Sequence, residues 1–310
     1  MRFAGSALIP SIMPALEHLE VKVKLNPDLT ICLWDTATTQ TSPLNHTQTD
    51  AWELESRRGE LLKYTDDRYI AAIQVDSHIL SVLDLEQNIG LCWTENPFLP
   101  VTRRAAPCQF ILHWWLREKG LLMIHSAAVG TPDGAALLVG RSGAGKSTAA
   151  LACLHAGMQY LSDDRCVLGL EPSPRVYALY NSGKVDERQI NLFPRFHSAW
   201  AKPAVSSSEK ALLFVKQTAP EQIAQHLPIK VAILLHLGHC KETTFKVSKP
   251  MVVCQALTTS TMIYAPGWSQ VDLHGAAQFV QRVPCFKINA GTEIQKIPGV
   301  VAHIIKTAAS

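Results

Sequence analysis

The sequence predicts an α/β protein with a β-rich N-terminal domain over residues 1–107 and a second, mixed domain over residues 108–310. Three observations support this prediction. Short aliphatic runs separated by turn signals fill most of the first hundred residues. A glycine-rich loop then stands between a strand-like run and an alanine-rich helical run. Further strand-like and helix-like segments follow that loop.

Composition restricts the class of protein. The chain has 310 residues, of which 47% are hydrophobic and 18% charged, so a sizeable core is expected. The net charge is +3 and no dense Lys/Arg cluster is present, which argues against nucleic acid as a partner. No apolar run is long enough to span a membrane. The eight cysteines are scattered without a C-x-x-C pair, which favours reduced thiols and a cytoplasmic location.

The N-terminal domain is predicted from three strand-like runs. They cover residues 29–34, 69–75 and 78–83. The polar stretch 36–50 is typical of a surface loop. No cluster of catalytic residue types occurs here, so we expect a domain for packing or substrate recognition.

A helix and an interrupted strand are predicted at the start of the second domain. The helix covers residues 108–119, follows Pro107 and ends at Gly120, with a broad apolar face that includes Trp114. Residues 121–129 are then predicted as one strand interrupted at His125 and Ser126.

The glycine-rich loop fits the pattern G-x-x-x-x-G-K-[ST] in residues 140–147. A strand over 135–139 precedes it and a helix over 148–155 follows, which is the context that a phosphate-binding loop requires. The residues predicted to hold the phosphates are Gly140, Arg141, Ser142, Gly143, Ala144, Gly145, Lys146, Ser147 and Thr148.

Each residue type in the loop has a physical role. The glycines let backbone N–H groups turn inward towards an anion, and the helix that follows adds its positive dipole end. Lys146 can reach the β- and γ-phosphates, and Ser147 offers a hydroxyl to Mg²⁺. The sequence therefore predicts binding of ATP with Mg²⁺.

Asp163 and Asp164 are the predicted second half of the site. They follow a strand predicted over 158–161, which places them at the carboxyl edge of the sheet, where ligands of α/β folds bind. Phosphoryl transfer needs an acid near the metal and a group that accepts the proton of the acceptor. A surface turn is the competing interpretation of such a pair.

The remaining segments complete the predicted domain. Strands are expected over 166–170, 175–180, 227–237 and 284–288, and a helix over 271–282. A closing helical segment is expected over 291–306, restarted or kinked at Pro298 and Gly299. Residues 181–208 are predicted to be irregular. His236, His239 and Cys240 are assigned to packing rather than to a metal site.

The spacing of these residues resembles that of the HPr kinase/phosphorylase superfamily and its shorter relatives. That family has a histidine, a G-x-S-G-x-G-K-S loop, a later glycine and an Asp-Asp pair at fixed distances. This chain has His125, residues 140–147, Gly157 and Asp163-Asp164 at those distances. A looser resemblance over the whole chain extends to the HPr-kinase-like proteins that accompany lasso-peptide biosynthesis.

The resemblance implies an HPr-kinase-type catalytic domain over 108–310 and a serine kinase activity. It implies that Asp163 is the general base on an acceptor hydroxyl, and that Asp164 and His125 complete the polar wall. Ser147 and an acid, assigned as Asp164, would hold Mg²⁺. Lys146 would act on the transferring phosphoryl group.

The chain departs from the family in two places. Thr148 stands where the bifunctional enzymes have a glutamate, and their later Arg-Gly-Leu-Gly-Ile segment is absent. Phosphorylase activity and HPr as substrate are therefore put in doubt. Lys184 and Arg188 are candidates for the missing cationic partner, with ordinary surface charge as the alternative.

The resulting hypothesis is a kinase that phosphorylates a serine hydroxyl on a peptide or small protein, such as a ribosomally made precursor peptide of the lasso type. Two alternatives stay open: a small-molecule kinase acting on free serine or a sugar, and a nucleotide-binding regulatory protein with little turnover. The sequence leaves the oligomeric state open, a homo-oligomer included.

Overall fold

The computed structural model describes residues 1–22, 26–43, 53–54, 61–201, 210–238, 241–264 and 268–309. The chain forms two compact units, Met1–Gly120 and Leu121–Ser310. The division falls at Gly120, later in the chain than the predicted boundary at Pro107.

The N-terminal unit is a seven-stranded sheet with helices. Its strands have the order β1-β2-β7-β6-β5-β4-β3. They are β1 (Arg2–Phe3), β2 (Thr30–Asp35), β3 (Glu53–Leu54), β4 (Leu61–Thr65), β5 (Tyr69–Gln74), β6 (Ile79–Asp84) and β7 (Ile89–Thr94). Its helices are α1 (Ile9–Ile12), α2 (Thr36–Thr39), α3 (Val101–Ala105) and α4 (Gln109–Glu118), with 3-10 turns at Met13–Ala15 and Glu17–Leu19.

The three predicted N-terminal strands are confirmed as β2, β5 and β6. The predicted loop over 36–50 begins instead with the short helix α2. Its N-cap Asp35 accepts a hydrogen bond from the Thr38 N–H at 2.8 Å, which stabilises this turn. Residues 44–50 lie outside the described residues.

Helix α4 belongs to the N-terminal unit because its apolar face packs into that unit's core. Ile111 and Trp114 are fully buried in one cluster with Ile31, Leu33 and Leu83 of the sheet. The core-packing interpretation of Trp114 is therefore confirmed. The predicted boundary at Pro107 placed α4 in the second domain, apart from the sheet against which it packs.

The second unit contains eleven strands and four α-helices among the described residues. The strands are β8 (Leu122–Ile124), β9 (Ala127–Thr131), β10 (Gly134–Val139), β11 (Gln159–Ser162), β12 (Cys166–Gly169), β13 (Arg175–Tyr177), β14 (Ser182–Val185), β15 (Ala211–Phe214), β16 (His226–Leu237), β17 (Thr244–Val247) and β18 (Cys285–Ala290). The helices are α5 (Lys146–His155), α6 (Pro250–Tyr264), α7 (Gln270–Arg282) and α8 (Ile297–Ala309). Short 3-10 helices cover Glu187–Leu192, Pro194–Ala199, Val215–Gln217, Pro220–Gln222 and Ile294–Lys296.

Strand β16 is the centre of the main sheet. It pairs in parallel with β10 and β18, while β9 is antiparallel to both β10 and β11. Side chains of β10 alternate between two cores: Ala136 and Leu138 pack in the core of α5 and α8, and Leu137 and Val139 in that of α6 and α7. The sheet thus has helices on both faces, and the α/β class is confirmed.

Two predicted elements differ from the structure. Residues 121–129 are not one strand, because β8 pairs with β12 whereas β9 pairs with β10 and β11. The chain changes partners at His125 and Ser126. The closing segment is restarted rather than kinked, one residue earlier than predicted: the 3-10 helix Ile294–Lys296 is followed by α8, which begins at Ile297 with Pro298 in its first turn, where no N–H partner is needed.

Three further observations concern the predicted elements. Strand β14 lies in the segment predicted to be irregular, of which residues 202–208 are outside the described residues. His236 is exposed rather than packed, and His239 and Cys240 are not among the described residues. No helix of the described residues has the length and apolar character needed to cross a membrane.

Candidate active site

The sheet topology brings three separated sequence positions to one edge. Strands β10 and β11 run in the same direction, with β9 antiparallel between them. The carboxyl ends of β10 and β11 therefore lie beside the amino end of β9. Gly140 follows β10, Asp163 follows β11, and His125 precedes β9 by two positions. The predicted site residues consequently meet at this edge.

The loop 140–145 connects β10 to α5 as the sequence predicts. Gly145 is the N-cap of α5 and has a φ of +88°, a conformation that favours glycine. A Cβ at this position would also approach Leu237 Cδ2 to 2.8 Å. The first turn of α5 thus directs its unpaired N–H groups to the loop, where they can receive an anion.

Lys146 is buried beneath the loop. Its ammonium donates to the carbonyl oxygens of Gly140 at 2.7 Å and Arg141 at 3.3 Å. Burial lowers the pKa of Lys146, and the carboxylates of Asp163 and Asp164 oppose that effect. Lys146 is therefore held at the loop, close to two acidic side chains.

The other loop residues differ in exposure. Arg141, Ser142 and Gly143 are exposed, and Ala144 is buried. The Thr148 hydroxyl donates to Gln189 Oε1 at 3.1 Å and so contacts the 3-10 helix Glu187–Leu192.

Asp163 joins the loop to the carboxylate pair. Its Oδ1 accepts a hydrogen bond from Ser147 Oγ at 2.8 Å, and its Oδ2 accepts one from the Lys184 backbone N–H at 3.2 Å. Burial and the neighbouring charge of Asp164 raise the pKa of Asp163. Asp163 is therefore the carboxylate of the pair that contacts Ser147.

Asp164 is surrounded by hydrogen-bond donors. Its Oδ2 lies 2.8 Å from Lys184 Nζ, and its Oδ1 lies 2.9 Å from His125 Nε2 and 3.3 Å from Arg165 Nη1. Burial alone would raise the pKa of Asp164, but Arg165 and Lys184, together with the hydrogen bond to His125, lower it well below its usual range. The two adjacent carboxyl groups are thus shifted in opposite directions, a pattern common where acid and base roles are divided.

Asp164 also has an uncommon backbone conformation. Its φ is +76°, in the left-handed region that non-glycine residues rarely adopt. Such a conformation costs on the order of 1–3 kcal/mol and is often found at functional sites. Its carbonyl oxygen accepts from Arg165 Nη1 at 2.9 Å, which helps to hold this geometry.

His125 is a neutral imidazole in a defined tautomer. Burial lowers its pKa to about 4, although the hydrogen bond to Asp164 partly opposes this shift. Because Asp164 is an anionic acceptor, Nε2 carries the hydrogen, and Nδ1 accepts from Ser260 Oγ at 2.7 Å. The His125 backbone N–H donates to Thr261 Oγ1 at 3.1 Å.

The structure separates the two predicted cationic candidates. Lys184 is buried on β14 and contacts both aspartates, through its backbone N–H and its ammonium. Arg188 is exposed, and its backbone N–H is capped by Asp186. Within the described residues, Arg188 forms no ion pair with Asp163 or Asp164.

Sequence reasoning missed three residues of this site. Arg165 adjoins the predicted pair, and its position next to two aspartates was an available signal. Ser260 and Thr261 lie on α6, far away in sequence, and their hydroxyls in an apolar helix were the only local indication. The described residues contain no group of three or more His, Cys, Asp and Glu side chains arranged to hold a metal ion.

Comparison with known proteins adds little to this geometry. No family model matches the chain, and no curated protein matches it in sequence. Among solved structures, the HPr(Ser) kinase/phosphatase from Coxiella burnetii is similar with 11% identity, over 60% of this chain and 94% of that chain, at a TM-score of 0.31. A likeness this low supports no conclusion about activity, which is argued below from the chain's own residues.

The low pKa of His125 makes folding stability depend on pH. The unfolded histidine gains a proton near pH 6.5, whereas the folded one gains it only near about 4, so stability is lost as the pH falls between these values. We expect this residue to account for roughly 2–3 kcal/mol of that loss. Urea unfolding of the wild type and of His125→Gln is measured from pH 4.5 to 7. The difference between their free energies of unfolding isolates the contribution of His125, because both proteins have the same aspartates. Parallel stability curves for the two proteins would contradict the assignment.

Proposed function

We propose that this chain is an ATP- and Mg²⁺-dependent kinase that transfers the γ-phosphoryl group to a serine hydroxyl of a peptide or small protein. The observation that carries the proposal is the hydrogen bond of 2.8 Å between Ser147 Oγ and Asp163 Oδ1. It joins the predicted phosphate-binding loop to the carboxylate pair. Donor binding and acceptor activation can therefore take place within one cluster of side chains.

The donor half of the site is the loop with Lys146 and Ser147. Backbone N–H groups and the Lys146 ammonium would bind the phosphates of ATP. Mg²⁺ prefers oxygen ligands, and the hydroxyl of Ser147 together with phosphate oxygens of ATP would fit that preference. Once bound, the ion would neutralise charge on the β- and γ-phosphates. We do not assign Asp164 to the metal, because both of its oxygens contact Lys184, His125 or Arg165.

The acceptor half depends on the difference between the two aspartates. As the acceptor oxygen bonds to the γ-phosphorus and the bond to the β-phosphate oxygen breaks, the hydroxyl proton must move to a base. Asp163 is the stronger base of the pair, because its pKa is raised and that of Asp164 is lowered. Each oxygen of Asp163 accepts one described hydrogen bond and retains a second lone pair.

Asp164 would act by holding the Lys184 ammonium in position. It stays ionised and keeps the Lys184 ammonium at 2.8 Å, so that Lys184 lies beside the reacting groups. A positioned cation of this kind stabilises charge on the transferring phosphoryl group. His125 would support this arrangement by donating a hydrogen bond from Nε2 to Oδ1 of Asp164.

The substrate class in this proposal comes from the sequence resemblance. A ribosomally made precursor peptide of the lasso type is the preferred acceptor, and the N-terminal unit is proposed to recognise it. The test is incubation of the purified chain with γ-labelled ATP and three sets of acceptors: precursor peptides encoded nearby, free serine, and sugars.

Lys146→Ala is expected to abolish transfer in this assay, because both bound ATP and the transition state lose the positive charge of the ammonium.

Each outcome of that screen has a distinct meaning. Label on a peptide serine supports the proposal. Label on serine or sugar alone supports the small-molecule kinase instead. ATP binding without transfer to any acceptor supports a regulatory nucleotide-binding protein and contradicts the kinase.

Asp163→Asn should separate binding from chemistry. We expect kcat to fall by roughly 10²–10⁴, because the amide cannot accept the hydroxyl proton, while the affinity for ATP alone stays nearly unchanged. Single-turnover transfer and calorimetric ATP binding would measure the two quantities. An equal loss of ATP binding in Asp163→Asn and Lys146→Ala would refute this division of roles.

Lys184 and Arg188 form a matched pair of variants. Lys184→Met is expected to lower kcat by roughly 10²–10³, because the transferring group loses a positioned cation. Arg188→Met, close by in sequence but exposed, should change kcat by less than about twofold. Steady-state kinetics with both variants would measure the difference, and equal effects would show that Lys184 has no special role.

A further inference from the structure

Helix α6 presents two buried hydroxyl groups to the active site. Ser260 and Thr261 are 3% and 0% exposed, although the helix has no charged residue and is otherwise largely apolar. Burying a hydroxyl is unfavourable unless it is hydrogen-bonded. Both hydroxyls form a hydrogen bond with His125. None of the phosphoryl-transfer roles assigned above involves them.

The two hydroxyls fix His125 from its ring and from its backbone. Thr261 Oγ1 donates to the carbonyl oxygen of Leu257 at 2.8 Å, which leaves its lone pairs for the His125 N–H. Ser260 donates to Nδ1, because the hydrogen of the neutral ring lies on Nε2 towards Asp164. A rotation of the ring by 180° would break both ring hydrogen bonds. One orientation and one tautomer are therefore selected.

We propose that Ser260 is a positioning residue that acts through His125 on Asp164. This inference rests on the proposed function and deepens it. The contacts form a continuous path: Ser260 Oγ to His125 Nδ1 at 2.7 Å, His125 Nε2 to Asp164 Oδ1 at 2.9 Å, and Asp164 Oδ2 to Lys184 Nζ at 2.8 Å. The orientation of the carboxylate that holds Lys184 thus depends on a hydroxyl of α6.

Loss of Ser260 should disturb this path without touching the nucleotide loop. In Ser260→Ala, Nδ1 loses its described donor, so the ring gains access to the other tautomer and to other rotamers. Asp164 then loses a fixed donor on Oδ1, and the position of Lys184 becomes less defined. Removal of the outer hydrogen-bond partner of a metal-ligating histidine typically costs 10–100-fold in metal affinity or activity, and we expect a loss of the same order here.

Thr258→Val provides the control within the same helix. The Thr258 hydroxyl bonds to backbone carbonyls of α6, at Cys254 and Gln255, and not to the site. The variant Thr258→Val therefore removes a hydroxyl of α6 without removing a contact to His125.

The experiment compares kcat, the KM for ATP and the ring ¹⁵N spectrum of His125 in the full chain. Ser260→Ala is expected to lower kcat by roughly 10–100-fold with the KM for ATP within about twofold, and to shift the His125 signals away from a pure Nε2–H tautomer. Ser260→Thr should retain the tautomer, and Thr258→Val should behave as wild type. His125→Gln identifies the signals of this ring.

The outcomes separate this inference from the proposed function. An unchanged tautomer in Ser260→Ala overturns the inference, and so does a loss of kcat that Thr258→Val shares. A wild type that transfers no phosphoryl group contradicts the proposed function, while the ¹⁵N spectrum still decides whether Ser260 positions His125.

Discussion

The site depends on one partly buried negative charge, that of Asp164, whose side chain is 20% exposed. A carboxylate partly removed from water needs compensating charge, because desolvation disfavours its ionised form. Lys184, Arg165 and His125 provide the compensation from three parts of the chain. The same contacts fix the side chains that would face a transferring phosphoryl group. Stability and chemical arrangement therefore have a common origin here.

Asp163 and Asp164 are adjacent in the sequence, but their surroundings shift the pKa values of the two carboxyl groups in opposite directions. Asp163 is buried against the loop beside the charge of Asp164, and both effects raise its pKa more than Lys184 lowers it. Asp164 turns away at a positive φ and meets the cations. The backbone conformation of a single residue separates the two environments. This separation explains why a pair of identical side chains can perform two tasks.

The sequence predicted the parts of the site that depend on local patterns. The glycine-rich loop, the strand before it and the helix after it follow from spacing and composition, and the edge position of Asp163 follows from strand direction. The left-handed conformation of Asp164, which directs the two carboxylates to different partners, did not follow from a local pattern. Ser260 and β14 depend on tertiary packing between distant segments, for which no local pattern exists. The domain boundary was misplaced for the same reason: an amphipathic helix does not show which core it joins.

Gly183 illustrates how the fold limits what can change near the site. It lies on β14 immediately before Lys184, and a Cβ there would approach Leu151 Cδ2 of α5 to 2.9 Å and Tyr160 Oη to 3.4 Å. The missing side chain lets β14 lie against the helix that carries the loop. The absence of a side chain at Gly183 thus permits the short distance between β14, which carries Lys184, and α5, which follows the loop. Any side chain at residue 183 would have to displace the Leu151 methyl group, so substitution there is restricted by steric exclusion rather than by chemistry.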